Sequence, residues 1–418
     1  MSMKPKSVIV VGGGASGMLA ALFAARGGGD AVLLERNEKL GKKMYITGKG
    51  RCNVTNAADM EAFQANVFRN PRFLYAAFAH FDNRRMMALV EEMGVPLKVE
   101  RGNRVFPQSD RSSDVISALA RAMASSGVKV VLNTRVARLL IDGGRCLGVE
   151  TAAGEKIEAD AVILATGGVS YPSTGSTGDG HAMARMSGHR LTDLLPGLVA
   201  VDTVESWPGT LAGLTLKNVR LNAWQKGAKS RRPFYSQMGE MLFTHTGLSG
   251  PLVLTLSSLL PADLSTVRMA MDLKPALDEK KLDERLLRDF REGPNKRLAT
   301  VADGLAPHAL AQQLLRLAGL SPTQAVNGVT SRQRAALVET LKAVPLTPGR
   351  LRGFDEAIIT RGGVSVKDID PSTMQSRLVE NLYFAGELID VDAATGGFNL
   401  QIAFSTGALA GKSAAEAL

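Results

Sequence analysis

A β-branched run, a glycine turn and a helix of small apolar residues fill the first 26 residues, and a second apolar run follows at once. This order predicts an α/β chain with a parallel sheet of the Rossmann type. The strand-and-glycine texture breaks near Leu191 and returns near Phe354. That break predicts a domain inserted into the sheet domain.

Each element has its own signal. Ser7 to Val11 reads as a buried strand, and Gly12 to Gly17 as the turn after it. Ser16 to Arg26 reads as a helix closed by Gly27, Gly28 and Gly29, and Ala31 to Glu35 as the next strand. These pieces make a βαβ unit, whose crossover is right-handed. Lys39 to Asn56 is a polar, glycine-rich loop, and helical periodicity covers Pro71 to Met93 and Ser112 to Ser126. Strands are expected at Lys129–Leu132, Val136–Ile141 and Ala161–Ala165, with a hairpin of Cys146–Thr151 and Lys156–Glu158. A helix is expected near Gly180 to Ser187. Residues 1–191 are read as the first part of the sheet domain and 192–342 as the insert, β-rich over about 192–275 and helical over about 276–342. Residues 343–418 are the second part, with a strand at Asn381–Phe384 and a small-residue helix at Gln401–Ala415.

Composition narrows the function. The chain has 418 residues, enough for two or three domains, and 43 glycines without a collagen-like period. Two cysteines, Cys52 and Cys146, give neither a disulfide framework nor a metal-ligand spacing, and with 16 methionines they suit a cytoplasmic protein. No apolar segment reaches the length of a membrane span, so no membrane partner is expected. The net charge of +10 is scattered, and its densest short cluster, Lys226 to Arg232, is brief. With aromatics at only 5%, this argues against a nucleic-acid partner.

Gly12-Gly13-Gly14-Ala15-Ser16-Gly17 matches G-x-G-x-x-G in its proper context, between a strand and a helix, with Glu35 closing the next strand. Gly12 permits the tight turn, Gly14 lets backbone approach a diphosphate, and Gly17 lets helix and strand pack closely. The helix N-terminus offers unpaired N–H groups to the anion. A carboxylate at Glu35 accepts from ribose hydroxyls and repels a 2′-phosphate, so FAD or NAD suits the turn better than NADP.

Longer motifs carry a resemblance. They are Gly41 to Asn56, Ala165-Thr166-Gly167-Gly168, Thr174 to Gly180, Phe243 to Pro251, and Tyr383 to Asp392 followed by Gly396 to Gln401. Together they closely resemble the BaiN-like, aminoacetone-oxidase-type family of NAD(P)/FAD-dependent oxidoreductases, with a more distant likeness to the fumarate reductase group. The resemblance implies a two-dinucleotide-binding FAD fold built from both chain ends, with an inserted β-rich domain and a helical subdomain. It implies non-covalent FAD, reduced by NAD(P)H, and a small or medium organic substrate bound between the FAD domain and the insert; the alternatives are an oxidase using dioxygen, a nucleic-acid-linked flavoprotein and an FAD-binding protein without turnover.

By matched position, Gly12, Gly14, Ala15, Ser16 and Gly17 would meet the diphosphate, and Glu35 and Arg36 the adenosine ribose. Val136 would meet adenine through its backbone, and Ala165, Thr166, Gly167 and Gly168 would pass beside the adenosine. Lys43, Thr47, Gly48, Arg51 and Asn53 lie in the loop running towards the flavin. Gly386 and Glu387 would lie against the ribityl chain and the diphosphate, and Gly397, Asn399 and Leu400 at the flavin's pyrimidine edge. No second complete glycine fingerprint is visible, so a nicotinamide donor would visit the flavin directly. Candidates for chemistry are His245 as a proton relay, Arg51 as a cation near flavin or phosphate, and Arg361 as a carboxylate clamp. Each has a structural reading beside it: a hydrogen-bonded histidine, a loop salt bridge, an interdomain arginine. Cys52 reads as a packed thiol and His181 as a helix cap.

Overall fold

The computed structural model describes residues 5–229 and 232–416. The chain divides into two compact units, Met1–Gly197 with Phe354–Leu418, and Leu198–Gly353.

The first unit is built on five parallel strands: Ser7–Val11 (β1), Asp30–Leu34 (β2), Lys129–Val131 (β3), Ala161–Leu164 (β4) and Leu382–Phe384 (β5). Their order is β5-β4-β1-β2-β3, with Ser7 opposite Asp30, Val8 opposite Ala161 and Val162 opposite Leu382. Val8, Val10, Val162, Ile163 and Leu382 are wholly buried, as expected where both faces of a parallel sheet are covered. Part of the cover comes from Ala15–Arg26 (α1) and Phe398–Glu416 (α2), which pack at unusually short range. A Cβ at Gly407 or Gly411 would fall 2.2 or 2.1 Å from the carbonyl oxygen of Ser16 or Ala20. These α2 glycines therefore bring the C-terminal helix against the helix of the N-terminal turn.

The helical run over Pro71 to Met93 is two helices, Tyr75–His80 and Asn83–Glu92. The break falls at Phe81, and Asp82 caps the second helix by accepting the Arg85 N–H at 2.8 Å. The polar loop contains a 3-10 turn, Met44–Gly50, and a short strand, Thr55–Asn56, paired with Arg104–Pro107. Leu97–Glu100 extends that small sheet. The hairpin of Arg145–Thr151 and Lys156–Glu158 stands beside Val136–Asp142 in a separate antiparallel sheet.

The second unit has a seven-stranded antiparallel sheet. Its order is Val344–Leu346, Val267–Asp272, Thr215–Gln225, Tyr235–Phe243, Gly247–Ser249, Val201–Thr203 and Pro348–Leu351. Helices Glu279–Glu292, His308–Leu317 and Ser331–Lys342 supply Leu282, Leu286, Leu310, Leu337 and Leu341 to one apolar core with the strand residues Leu221, Phe243 and Met271. This unit extends to Gly353 because Val344–Leu346 and Pro348–Leu351 are strands of its sheet. Leu195–Gly197, by contrast, pairs with Ile359–Arg361 in the first unit.

Candidate dinucleotide-binding site

The glycine turn is fixed by close approach. Gly12 has φ +106°, and a Cβ there would lie 2.6 Å from the Ala165 carbonyl. A Cβ at Gly17 would lie 1.8 Å from the Gly12 carbonyl. Gly14 differs: no heavy atom lies within 4 Å of where its Cβ would be, so this side of the turn is open. Gly14 is the N-cap of α1 and has no side chain to satisfy the first-turn N–H groups. Gly386 arrives beside this turn, its missing Cβ 2.4 Å from Ser16 Oγ. The two chain ends thus meet at the start of α1.

Glu35 is buried and braces the turn. Its Oε2 accepts the Gly13 N–H at 2.6 Å, and its Oε1 accepts from the Asn37 backbone and side chain at 2.7 Å each. Next to it opens a pocket whose lining includes Gly12, Arg36, Arg135, Val136, Thr166 and Asp179. Arg135 Nε donates to Asp179 Oδ2 at 2.7 Å, and Arg36 reaches the same oxygen at 3.2 Å and Thr177 Oγ1 at 2.5 Å. Hydrogen bonding from Arg135 outweighs partial burial and holds the Asp179 carboxyl below the usual carboxylate range. Nothing in the sequence around Arg135 singles it out; for Asp179 the signal is its place in the Gly178-Asp179-Gly180 loop.

Lys43 and Glu387 form a second knot. Lys43 Nζ donates to Glu387 Oε2 and to Ser170 Oγ, each at 2.7 Å. The Thr360 N–H donates to Glu387 Oε1 at 2.7 Å. Burial disfavours the Glu387 charge, but the Lys43 ammonium and these hydrogen bonds prevail and lower its pKa. The loop after them clasps the start of α2. Thr55 Oγ1 donates to Gln401 at 2.7 Å, and Asn56 Nδ2 to the Gly396 carbonyl at 2.9 Å. With its amide turned to satisfy its neighbours, Asn53 accepts the Gly397 N–H at 2.9 Å. Gly397 must be glycine here, since a Cβ would lie 2.3 Å from the Thr55 carbonyl. Asn399 ties α2 back to Ala393 by accepting its N–H at 3.0 Å, and Leu400 is half-buried beside it.

The HI0933-like protein Rossmann domain family model matches residues 6–413. The chain belongs to this family. A 3-dehydro-bile acid delta(4,6)-reductase of Clostridium scindens is 33% identical over 97% of this chain and 98% of its own. A ribosomal RNA dihydrouridine synthase of Escherichia coli is 28% identical over 97% of this chain and 96% of its own. Among solved structures, a 3-ketosteroid delta1-dehydrogenase of Sterolibacterium denitrificans superposes with a TM-score of 0.52 at 15% identity, covering 99% of this chain and 100% of that one. This HI0933-like chain is an oxidoreductase with a Rossmann-type FAD-binding fold.

The residues present fit FAD. Gly14 leaves space where a diphosphate would meet the α1 N–H groups. Thr166 lines the adjacent pocket, and its hydroxyl, packed over Gly180, has no hydrogen-bond partner among the described residues. Ala165 and Gly167 continue along the same strand end, and Gly168 passes tightly over Thr360 Oγ1. Thr47 and Gly48 sit within the 3-10 turn, where Thr47 Oγ1 donates to the Met44 carbonyl.

Arg51 takes the structural reading. It donates to Glu100 at 2.8 Å and Asp110 at 3.3 Å and lies 4.0 Å over the Phe106 ring. Cys52 is wholly buried, and burial pushes its thiol up to about 12, so it is inert. His181 does not cap a helix: it is buried inside Asp179–Met186, neither ring nitrogen has a hydrogen-bond partner among the described residues, and burial lowers its pKa to about 4. Arg361 is buried in the first unit, with the Asp392 carboxylate among the charges acting on it. Neither Asp392 oxygen has a hydrogen-bond partner among the described residues; Arg69 Nε stands 3.8 Å away, and burial raises the Asp392 pKa to about 6. A carboxylate inside the apolar run Leu388 to Ala394 was the signal that could have singled it out. His245 belongs to the second unit, exposed between Tyr235–Phe243 and Gly247–Ser249.

Proposed function

We propose that this chain binds FAD non-covalently and uses it to add hydrogen to an unsaturated organic substrate, with NAD(P)H as the electron donor. The observation that carries the reading is the open face at Gly14, placed at the uncapped end of α1 and joined there by Gly386 from the other end of the chain. The first turn of α1, from Ala15 to Gly17, would hold the diphosphate. Arg36, Val136 and Thr166 would receive the adenosine, and Glu35 would hold the turn and offer its remaining lone pairs to the ribose. Lys43 and Glu387 keep the ribityl side rigid, and the start of α2 would present its N–H groups to the flavin pyrimidine edge, where they favour negative charge. FAD when bound supplies the hydride chemistry; the protein orients the substrate and tunes charge.

The relatives support the substrate class. One is named a delta(4,6)-reductase and another a dihydrouridine synthase, and both names describe hydrogen added to an unsaturated ring. Stopped-flow mixing under anaerobic conditions tests the reading. NADH or NADPH should bleach the flavin band within seconds, and a conjugated enone or a uracil ring should restore it. Restoration by dioxygen alone would favour an oxidase, and a flavin that neither donor bleaches would refute the reductase. The second reading, an RNA substrate, is favoured by full-length similarity to two rRNA dihydrouridine synthases.

A further inference from the structure

The outward face of the second unit's sheet combines aromatic groups with cations, and the flavin site accounts for none of them. Along Thr215–Gln225, Leu221 and Ala223 point into the core, so Arg220, Asn222 and Trp224 point away from it. Register places Met238 opposite Arg220, Ser236 opposite Asn222 and Arg268 opposite Trp224. Tyr235 is buried, so Phe234, one residue earlier, faces outward, and it is 42% exposed. Its N–H donates to the Ala223 carbonyl at 2.9 Å, which holds Phe234 at the end of this ladder. The Arg268 guanidinium lies 4.2 Å over the Trp224 ring. The hairpin joining the two strands adds Lys226, Lys229 and Arg232, all exposed; Ser230 and Arg231 lie outside the described residues. The carboxylates on or beside this face among the described residues are Glu240, Asp263, whose Oδ1 accepts from Ser265, and Asp272, which stands opposite Arg220 and pairs with Lys342 at 2.6 Å; Lys226 Nζ donates to the Ser265 carbonyl at 2.8 Å.

We propose that this face docks single-stranded RNA, with bases stacking on Phe234 and on the Trp224–Arg268 pair and phosphates meeting Lys226, Lys229 and Arg232. The proposal rests on the RNA-substrate reading above and assigns it a surface. Charge decides the class of partner: cations outnumber carboxylates on the described part of the patch, and lysine, which supplies two of them, is depleted in protein–protein contacts. Single strands need both parts, since stacking is tolerant of base identity and the cations follow the backbone. The mode also explains how a chain with 5% aromatics could hold RNA, because Phe234 and Trp224 are gathered at the hairpin end of two paired strands.

The test uses FAD-loaded protein and a fluorescein-labelled single-stranded RNA of about 12 nucleotides, a length within the usual range of single-strand sites. Anisotropy should report binding that weakens steeply with salt. Phe234→Ala should weaken it ~10-fold or more, the loss of one stacked base. Lys226→Glu with Lys229→Glu should lower the slope of log affinity against log salt by about 1.4, two phosphate contacts. In a Trp207→Phe background, Trp224 is the sole tryptophan, and RNA should quench it. Flavin content and bleaching by NAD(P)H should be unchanged in each variant, which separates failure of this surface from failure of the flavin reading. Wild-type protein that leaves the RNA free at low salt, variants that bind as tightly as wild type, or preferential binding to vesicles of anionic lipid would overturn the proposal.

Discussion

Gly14 and Gly17 stand three residues apart in one fingerprint, yet replacing them should have opposite consequences. At Gly17 a Cβ would sit 1.8 Å from the Gly12 carbonyl oxygen. That oxygen belongs to the turn between β1 and α1, so relief requires backbone movement at the centre of the sheet, and Gly17→Ala should prevent folding of the first unit. At Gly14 a Cβ would meet nothing within 4 Å, and φ −80°, ψ −168° is extended backbone open to any residue. Serine is a good N-cap, and its hydroxyl can accept a first-turn N–H, so Gly14→Ser should change the stability of flavin-free protein by only a few tenths of a kcal/mol. The same hydroxyl occupies the donors and the space that the diphosphate needs. Loss of one charge-assisted hydrogen bond costs about 1.5–3 kcal/mol, or about 10- to 100-fold in affinity. Gly14→Val, which adds bulk without a cap, should abolish retention. Urea denaturation of apo-protein and fluorescence titration with FAD separate the two effects. A Gly14→Ser protein with undiminished FAD affinity, or a Gly17→Ala protein as stable as wild type, would refute the cradle.

Asp392 should make stability fall as pH rises. Its folded pKa, about 6, lies above the ordinary 3.8, so the folded state binds the proton more tightly. The contribution is fully present below pH 3.8 and lost by the time pH has passed 6, ~3 kcal/mol in all. Asp392→Asn should therefore gain stability over wild type progressively from pH 4 to 7; parallel urea midpoints across that range would contradict this. Lys43→Met leaves Glu387 charged without its ammonium partner and should cost ~2 kcal/mol, with part of the loss recovered in the double variant carrying Glu387→Gln. Additive losses in a double-mutant cycle would mean the pair is not coupled. His245→Ala should leave folding and FAD content intact, because the side chain is exposed, while slowing flavin reoxidation by substrate. Unchanged reoxidation would retire its proton-relay role.

What the sequence revealed and what it concealed follow from distance along the chain. The turn was legible because its tightest constraint is local: Gly17 must clear Gly12, five residues away, although the Ala165 carbonyl that Gly12 must clear lies far along the chain. The α2 glycines were legible only as composition; their reason, contact with Ser16 and Ala20, spans nearly the whole chain. Charged residues were the hardest to read. Arg51 stands in a glycine-rich loop of cofactor-binding texture, and only the return of Arg104–Pro107 and Leu97–Glu100 reveals Glu100 and Phe106 waiting for it. Lys43 lies in the same loop, yet its partner is Glu387, 344 residues on. Asp179 joins Arg36 and Arg135 across separations of 143 and 44 residues, which no local pattern encodes. Alternation along one strand is enough to put Arg220 and Trp224 on a common side, but only register brings Arg268 onto the indole. A brief cluster of lysines and arginines acquires a chemical meaning once the aromatic groups beside it are known.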